Sequence, residues 1–420
     1  MKPAIDEMRG IEAKQSSWFT TTASERLLYL IYFIYFFCGM TQSFESVILP
    51  ELKEYFHLGY QQQMYVVFAK NIPFLFCPLM ALVIQRAGYV RSLAVAIAMY
   101  AAGTWLLIPG LRTSHYAIVL VGFGIIGTGF TLHMVAGNPM IGALGPPDGA
   151  SSRLNLGNAL GAVGQILAPA TLTLIIPAAA VVIARKLPYI TGLLMVLGLL
   201  LAMIAIAVSG MRTSFTDLTD VSHGAPSPRA GSAWKNPAIL GGALVIFLVL
   251  GAEASLFSFF RNFLEDPKIA SFSSHSSQRL FTLYFACFAA GRLSAAWLQR
   301  RVSPALHLFV NLIAALVTIA ILLFARGTPA AIAVLLLGFI VSIFFPTLYA
   351  LTLRSAGHWK AQASGMLTIG FLGAAVIPVL QGSLADHVGL QRSYLLDGGI
   401  YACILIYAGR ISWMQRKAAG

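Results

Sequence analysis

Twelve long apolar runs, almost empty of charge, decide what this chain can fold into. They fall at roughly 27–50, 62–84, 92–110, 116–141, 154–183, 188–209, 238–260, 279–298, 305–325, 330–352, 363–384 and 394–411. A helix needs about 20 residues to cross about 30 Å of hydrocarbon, and in lipid only a helix or a closed barrel satisfies its own backbone. Runs of this length predict an all-α membrane protein with twelve transmembrane helices. Hydrophobic residues make up 58% of the chain and charged ones 10%, which excludes a soluble enzyme. The formal charge of +13 would suggest nucleic acid in a soluble chain. Here the cations sit between apolar runs, as a membrane topology requires, so no nucleic-acid partner is expected.

An even number of spans puts both termini on one side. Seventeen Lys and Arg residues then fall on that side and nine on the other, with Lys70 and Arg292 left inside helices. The positive-inside rule makes the first side cytoplasmic. The polar N-terminus has no cleavable-signal pattern, so the first run is read as a retained helix. Residues 211–237 form the one long cytoplasmic connection, rich in Ser, Thr, Gly, Pro and Asp. The predicted organisation is a tail (1–26), a six-helix bundle (27–210), a flexible linker (211–237), a second bundle (238–411) and a tail (412–420). Two such bundles suit a transporter that rocks one half against the other. Cys38, Cys77, Cys287 and Cys403 lie in apolar runs without metal-ligand spacing and read as packed thiols.

The least generic stretch is Gly137–Asn158. Asn138-Pro139 puts an amide and a helix breaker deep in an apolar run, and Arg153-Leu154-Asn155-Leu156 opens the next helix behind a Gly/Pro turn. Other motifs follow in order: Gly39 with Ile48-Leu49-Pro50, Leu250-Gly251-Ala252-Glu253 with Ser258-Phe259, and Gly291-Arg292 with Trp297-Leu298. Phe345-Pro346-Thr347, Ile377-Pro378-Val379-Leu380-Gln381-Gly382 and Ala385-Asp386 complete the series. Together they resemble the L-fucose permease family of the major facilitator superfamily, which contains proton-coupled carriers for fucose, glucose, galactose and related sugars. The resemblance implies a central solute site exposed to each side in turn, in the inner membrane of a bacterium. This architecture forms its own pathway, so a monomer is expected.

Two departures limit what the resemblance carries over. The family has an acid where this chain has Ser46, and another where it has Met134. Glu45 and His133 stand one residue away, about 100° around the helix, so neither is an automatic substitute. An ionisable group in the bilayer costs about 2.5–3.5 kcal/mol on insertion scales, which makes each one a candidate by default. Glu45 lies in the polar patch Thr41–Ser46, where Gln42 and Ser46 share a face, as do Thr41 and Glu45. Lys70 lies about 12 Å deep in the second helix. A Glu45–Lys70 charge pair is the hypothesis for the missing acids. Glu253 is expected to face a cavity, and Arg153 and Arg292 to serve structure or gating. His133 reads either as a packed helix residue or as a proton relay. Asn138, Asn158 and Gln381 can donate to and accept from hydroxyls, beside aromatic faces such as Phe345, or can bond between helices.

Nothing in the chain predicts catalysis, a cofactor or a metal; there is no phosphate-binding glycine loop or metal-ligand cluster. The expected partners are a small polar solute (a sugar or sugar derivative), the lipid bilayer, and protons as a coupling ion. Two alternatives stand beside this reading. One is a divergent exporter or uncoupled facilitator for another solute, such as a siderophore or peptide. The other is a sensor that keeps the fold without transporting.

Overall fold

The computed structural model describes residues 22–144, 150–176, 183–210, 236–299, 301–355, 366–367 and 369–419. No strand occurs among them. The N-terminal half comprises α1 (Thr22–Tyr55), α2 (Tyr60–Asn71), α3 (Cys77–Ala87), α4 (Tyr89–Arg112), α5 (Tyr116–Ala143), α6 (Ala150–Ile175) and α7 (Ile183–Ser209). The C-terminal half comprises α8 (Pro237–Glu265), α9 (Ser274–Leu298), α10 (Pro304–Leu322), α11 (Thr328–Val341), α12 (Phe344–Ser355), α13 (Gly373–Val388), α14 (Leu390–Ser393) and α15 (Leu395–Ala419). The twelve predicted runs all map onto these helices. Among the described residues, eight helical stretches are long and apolar enough to cross a bilayer by length and composition alone. Thr22 and Ala419 mark the terminal face, and the opposite one is the distal face.

Three runs read as continuous helices are interrupted, and proline explains two of the breaks. The second run passes from α2 through a 3-10 turn, Ile72–Phe76, into α3. Pro73 and Pro78 have no N–H to donate back along the helix, so the α-helical ladder cannot run through. The tenth run breaks between α11 and α12, four residues ahead of Pro346. In the eleventh, the 3-10 turn Gly370–Leu372 precedes α13. Pro169, in contrast, does not end its helix, because α6 continues to Ile175; Pro177 lies outside the described residues. The four cysteines are free thiols.

Glycine sets how closely some helices pack. A Cβ at Gly164 would collide with the carbonyl of Phe36, so α6 meets α1 backbone to backbone. At Gly127 on α5 it would collide with the carbonyl of Lys70, so the same kind of contact fixes the depth of that lysine. Small residues at such crossings are how helices pack where lipid supplies no hydrophobic drive between them. The halves meet where α13 lies along α2, α9 along α6, and α8 against α1.

Gly124 gives the internal control, since a Cβ there would find only the Ala69 carbonyl, at 3.8 Å. Gly124→Ala should be neutral or stabilising by up to about 1 kcal/mol, the helix-propensity gain. Gly127→Ala should destabilise by about 1–3 kcal/mol through overpacking. Thermal unfolding of the two variants in the same detergent checks the order.

Candidate functional site: a central cavity and the seal above it

A cavity of about 210 Å³ lies between the halves. At about 10–15 Å³ per water-sized group, it admits a solute of roughly a dozen or more non-hydrogen atoms. The N-terminal wall presents Gln42 and Glu45 from α1, Lys70 and Asn71 from α2, and Gln165 from α6. The C-terminal wall presents Glu253 and Ser258 from α8 and Arg292 from α9. Phenylalanine rings fill the remainder, among them Phe74, Phe130, Phe257 and Phe288.

Each wall neutralises its own charge. Lys70 Nζ forms an ion pair with the Glu45 carboxylate, both side chains being almost fully buried. Lys70 also donates to the Gln42 carbonyl at 3.2 Å, and Gln165 Nε2 donates to Gln42 Oε1 at 2.9 Å. Opposite, Arg292 stands 3.8 Å from Glu253, stacks over the Phe288 ring at 4.5 Å and donates to the Ser342 carbonyl at 3.2 Å. That carbonyl is the one Pro346, four residues on, cannot engage. Ser43 likewise donates to the Gln165 carbonyl at 2.9 Å, left without a helical donor by Pro169. The proline breaks thus become attachment points for cavity side chains.

The distal end of the cavity is sealed by a network whose charged residues all lie just outside the predicted apolar runs. Arg261, 1% exposed, reaches across from α8 to Glu51 on α1, with nitrogen–oxygen distances of 2.7 and 2.9 Å. It also holds Glu265 at 2.6 Å and Ser274 at 2.8 Å, and donates to the Val47 carbonyl. Lys186 on α7 adds a second cation, 3.4 Å from Glu51 and 3.0 Å from Ser274. Two cations meet two carboxylates. Nearby, Gln63 donates to Asn262 at 2.9 Å, and Asp386 accepts from the backbone N–H groups of Tyr60 and Gln61 at 2.6 and 2.9 Å. The Asp386 carboxylate therefore sits on the start of α2, where the helix dipole favours an anion.

Toward the terminal face no comparable charged network joins the halves among the described residues. Arg292 lies about 27 Å along α9 from its distal start, yet its side chain is 46% exposed. Among the described residues the halves touch there through the stacked rings of Phe74 and Phe371, 5.0 Å apart. Among the described residues the cavity is therefore closed distally and open toward the terminal face.

Several predicted site residues stand elsewhere. Gln381 does not reach the cavity: it is fully buried in α13 and its amide donates to Ser393 at 3.4 Å. Phe345 is also off the wall, packed behind Phe371 at 5.7 Å, where it backs the terminal-side stack. His133 is fully buried with its ring 4.6 Å from that of Tyr35, away from the Glu45–Lys70 pair. Arg153 donates to the Ile141 carbonyl at 3.0 Å, capping the end of α5 across the turn. The side chains of Ser46, Asn138 and Asn158 lie outside the described residues. Gln165 and Arg261 were missed, since an amide in α6 and a cation near a helix end carry no distinctive sequence signal.

If Arg261 holds the distal face shut, Glu51→Gln should weaken that state, because breaking a buried pair costs about 3–5 kcal/mol. Spin labels at Glu54→Cys and Lys268→Cys, both exposed on the distal side, should then report longer distances in the Glu51→Gln background. An unchanged distance distribution would mean that other contacts keep the face closed.

Comparison with known proteins agrees with this architecture. Residues 31–371 match the sequence profile of the Major Facilitator Superfamily. A glucose/galactose transporter of Brucella abortus is 30% identical over 385 residues, covering 89% of this chain and 91% of that protein. The L-fucose-proton symporter of Escherichia coli is 22% identical over 409 residues, covering 89% and 90%. Among solved structures, the E. coli xylose transporter XylE in its inward open conformation aligns with a TM-score of 0.72 at 11% identity, covering 92% and 96%. FucP in the outward conformation aligns at 0.62 with 19% identity, covering 93% and 99%. With a family match spanning most of its length and a relative at this identity, the chain belongs to the major facilitator superfamily.

Proposed function

We propose that this protein is a secondary carrier that moves a sugar across a bacterial inner membrane by alternating access, with protons as the coupling ion. The observation that carries the reading is the central cavity, walled by both halves, sealed on one face and open on the other. Its amides and paired charges can exchange hydrogen bonds with hydroxyls, and its phenylalanine faces can cover the apolar side of a pyranose ring. The names of the B. abortus and E. coli relatives support the sugar and the proton. The loop-charge count supports a cytoplasmic terminal face, which makes the present conformation the cytoplasm-facing one. The 211–237 linker, on this reading, joins the bundles from the cytoplasmic side.

In the cycle, solute enters when the Arg261 network opens and leaves past Arg292 when it closes. The walls close around the solute only if their charges remain matched, so Glu45 with Lys70 and Glu253 with Arg292 keep each half neutral as it moves. Solute or proton arriving at the Glu45–Lys70 pair changes that balance and ties occupancy to the rocking motion.

The test uses purified protein in liposomes with labelled glucose and galactose. Gln42→Ala should weaken solute affinity about two- to tenfold, the equivalent of one hydrogen bond at about 0.5–1.5 kcal/mol. Gln391→Ala, whose side chain caps carbonyls of Leu322 and Ala325 far from the cavity, should leave it unchanged. Glu45→Gln should retain solute counterflow and lose accumulation driven by a pH gradient. Steep accumulation in Glu45→Gln would remove that residue from coupling. Downhill exchange without accumulation in the wild type would favour a facilitator, and binding without any exchange a sensor.

A further inference from the structure

A second acid lies in the C-terminal half, outside the solute cavity. Asp397 sits in the first turn of α15, fully buried. Neither of its carboxyl oxygens meets a donor at hydrogen-bonding distance and angle. Its surroundings are polar but neutral. Gln381 of α13 stands beside it; one N–H of its amide reaches Ser393 at 3.4 Å and the other is near the carboxylate. Tyr284 of α9, Tyr394 after α14 and Tyr401 of α15 lie within electrostatic reach, each fully or almost fully buried with an unengaged hydroxyl. Tyr284 and Tyr401 also lie within reach of Glu253 on α8, whose Oε2 is unengaged as well. Along α15, the distal half of α10 brings only the Thr318 hydroxyl, bonded to the Ala314 carbonyl. Tyr60 of α2 faces Tyr394 from the other half. No lysine, arginine or histidine is among these neighbours.

A carboxylate buried in hydrocarbon with no cation beside it, and only the neutral Gln381 amide and its own backbone N–H close by, is costly as an anion and is favoured as the acid. Asp397, Gln381, Ser393, Tyr284 and Tyr394 each have 0% exposure, so no water-sized space adjoins them. A coordinated metal cation needs several ligands moved inward around it, whereas a proton needs no added volume. Asp397 is only about one turn below the distal end of its span, and Tyr394 packs its ring against Phe263 at 5.4 Å, two residues from Arg261. Opening the distal network would uncover this acid, while the closed state seals it.

We infer that Asp397 carries a transported proton: it is loaded from the distal side when the Arg261 network opens, sealed as the acid when the network closes, and unloaded toward Glu253 only when the Tyr284 and Tyr401 hydroxyls, unbonded in this state, turn into hydrogen-bonding distance. The step is a proton transfer alone, O–H forming on Asp397 and breaking again when an acceptor oxygen takes the proton. The inference rests on the carrier reading above, and it adds an acid that the cavity does not contain.

Infrared spectroscopy tests the loaded state in the wild type. Asp397 is the one aspartate among the described residues that is buried, so uniform 13C-aspartate labelling should shift a protonated-carboxyl C=O band. Asp397→Asn should abolish the band, and Glu253→Gln should keep it. In liposomes Asp397→Asn, which mimics the neutral acid, should retain sugar counterflow. Its pH-driven accumulation should fall about tenfold per pH unit, the loss of one coupled proton. If the variant does not fold, the labelled wild-type band still decides: no isotope shift means an ionised Asp397 and overturns the inference. Counterflow with undiminished accumulation in Asp397→Asn overturns it too. A wild type that exchanges no sugar defeats the carrier reading itself, and this inference with it.

Discussion

A charge in hydrocarbon must bring its partner with it, and this molecule is arranged around that requirement. Each wall of the cavity holds one cation and one anion, so either half can slide or tilt without exposing a net charge to the other. Across the distal face the pairing changes character. Arg261 and Glu51 belong to different halves, so their attraction survives only in one conformation. Pairs within a half are compatible with motion; pairs between halves oppose it. Which charges are which follows from the fold rather than from residue type: Lys70 and Arg261 are both buried cations paired with a glutamate of α1, but Lys70 does so within its own half and Arg261 across the two.

Proline has a second role beside breaking helices. Each interior proline frees one carbonyl, and a free carbonyl in lipid needs a donor. Ser342 and Gln165 offer such carbonyls at the cavity, and Arg292 and Ser43 take them. A motif such as Phe345-Pro346-Thr347 thus acts through the residue four positions earlier. Phe345 itself supports the terminal-side ring stack, a packing role its aromatic character alone did not distinguish from a sugar contact.

The fold was legible because apolar run length has a single interpretation in a bilayer. The Glu45–Lys70 proximity was also legible, since two ionisable groups on adjacent antiparallel helices at similar depth have little else to meet. The seal was not. Glu51, Lys186 and Arg261 sit near helix ends, where a charge is normally solvated, and only the angle between the halves buries them. Gln381 misled for the opposite reason: an amide in a recognisable motif faces inward, but into its own half. Asp397 was hidden by being three residues from a predicted boundary, which reads as surface until α13 and α14 fold over it. The breaks at Ile72–Phe76 and between α11 and α12 were visible as prolines, yet the sequence does not state whether proline kinks a helix or divides it.

The two ends of the cavity are sealed very unequally: a multi-residue charged network distally, and among the described residues a single ring stack at the other end. Such asymmetry sets a resting population. A ligand offered from the distal side can bind only the fraction of molecules whose distal face is open, so its apparent dissociation constant is the intrinsic one divided by that fraction. The same cavity would therefore present a weaker affinity to one compartment than to the other, with no difference in any contact it makes to the solute. Directionality in this carrier would then be a property of its lids, and tightening or loosening Arg261 would tune which compartment it serves.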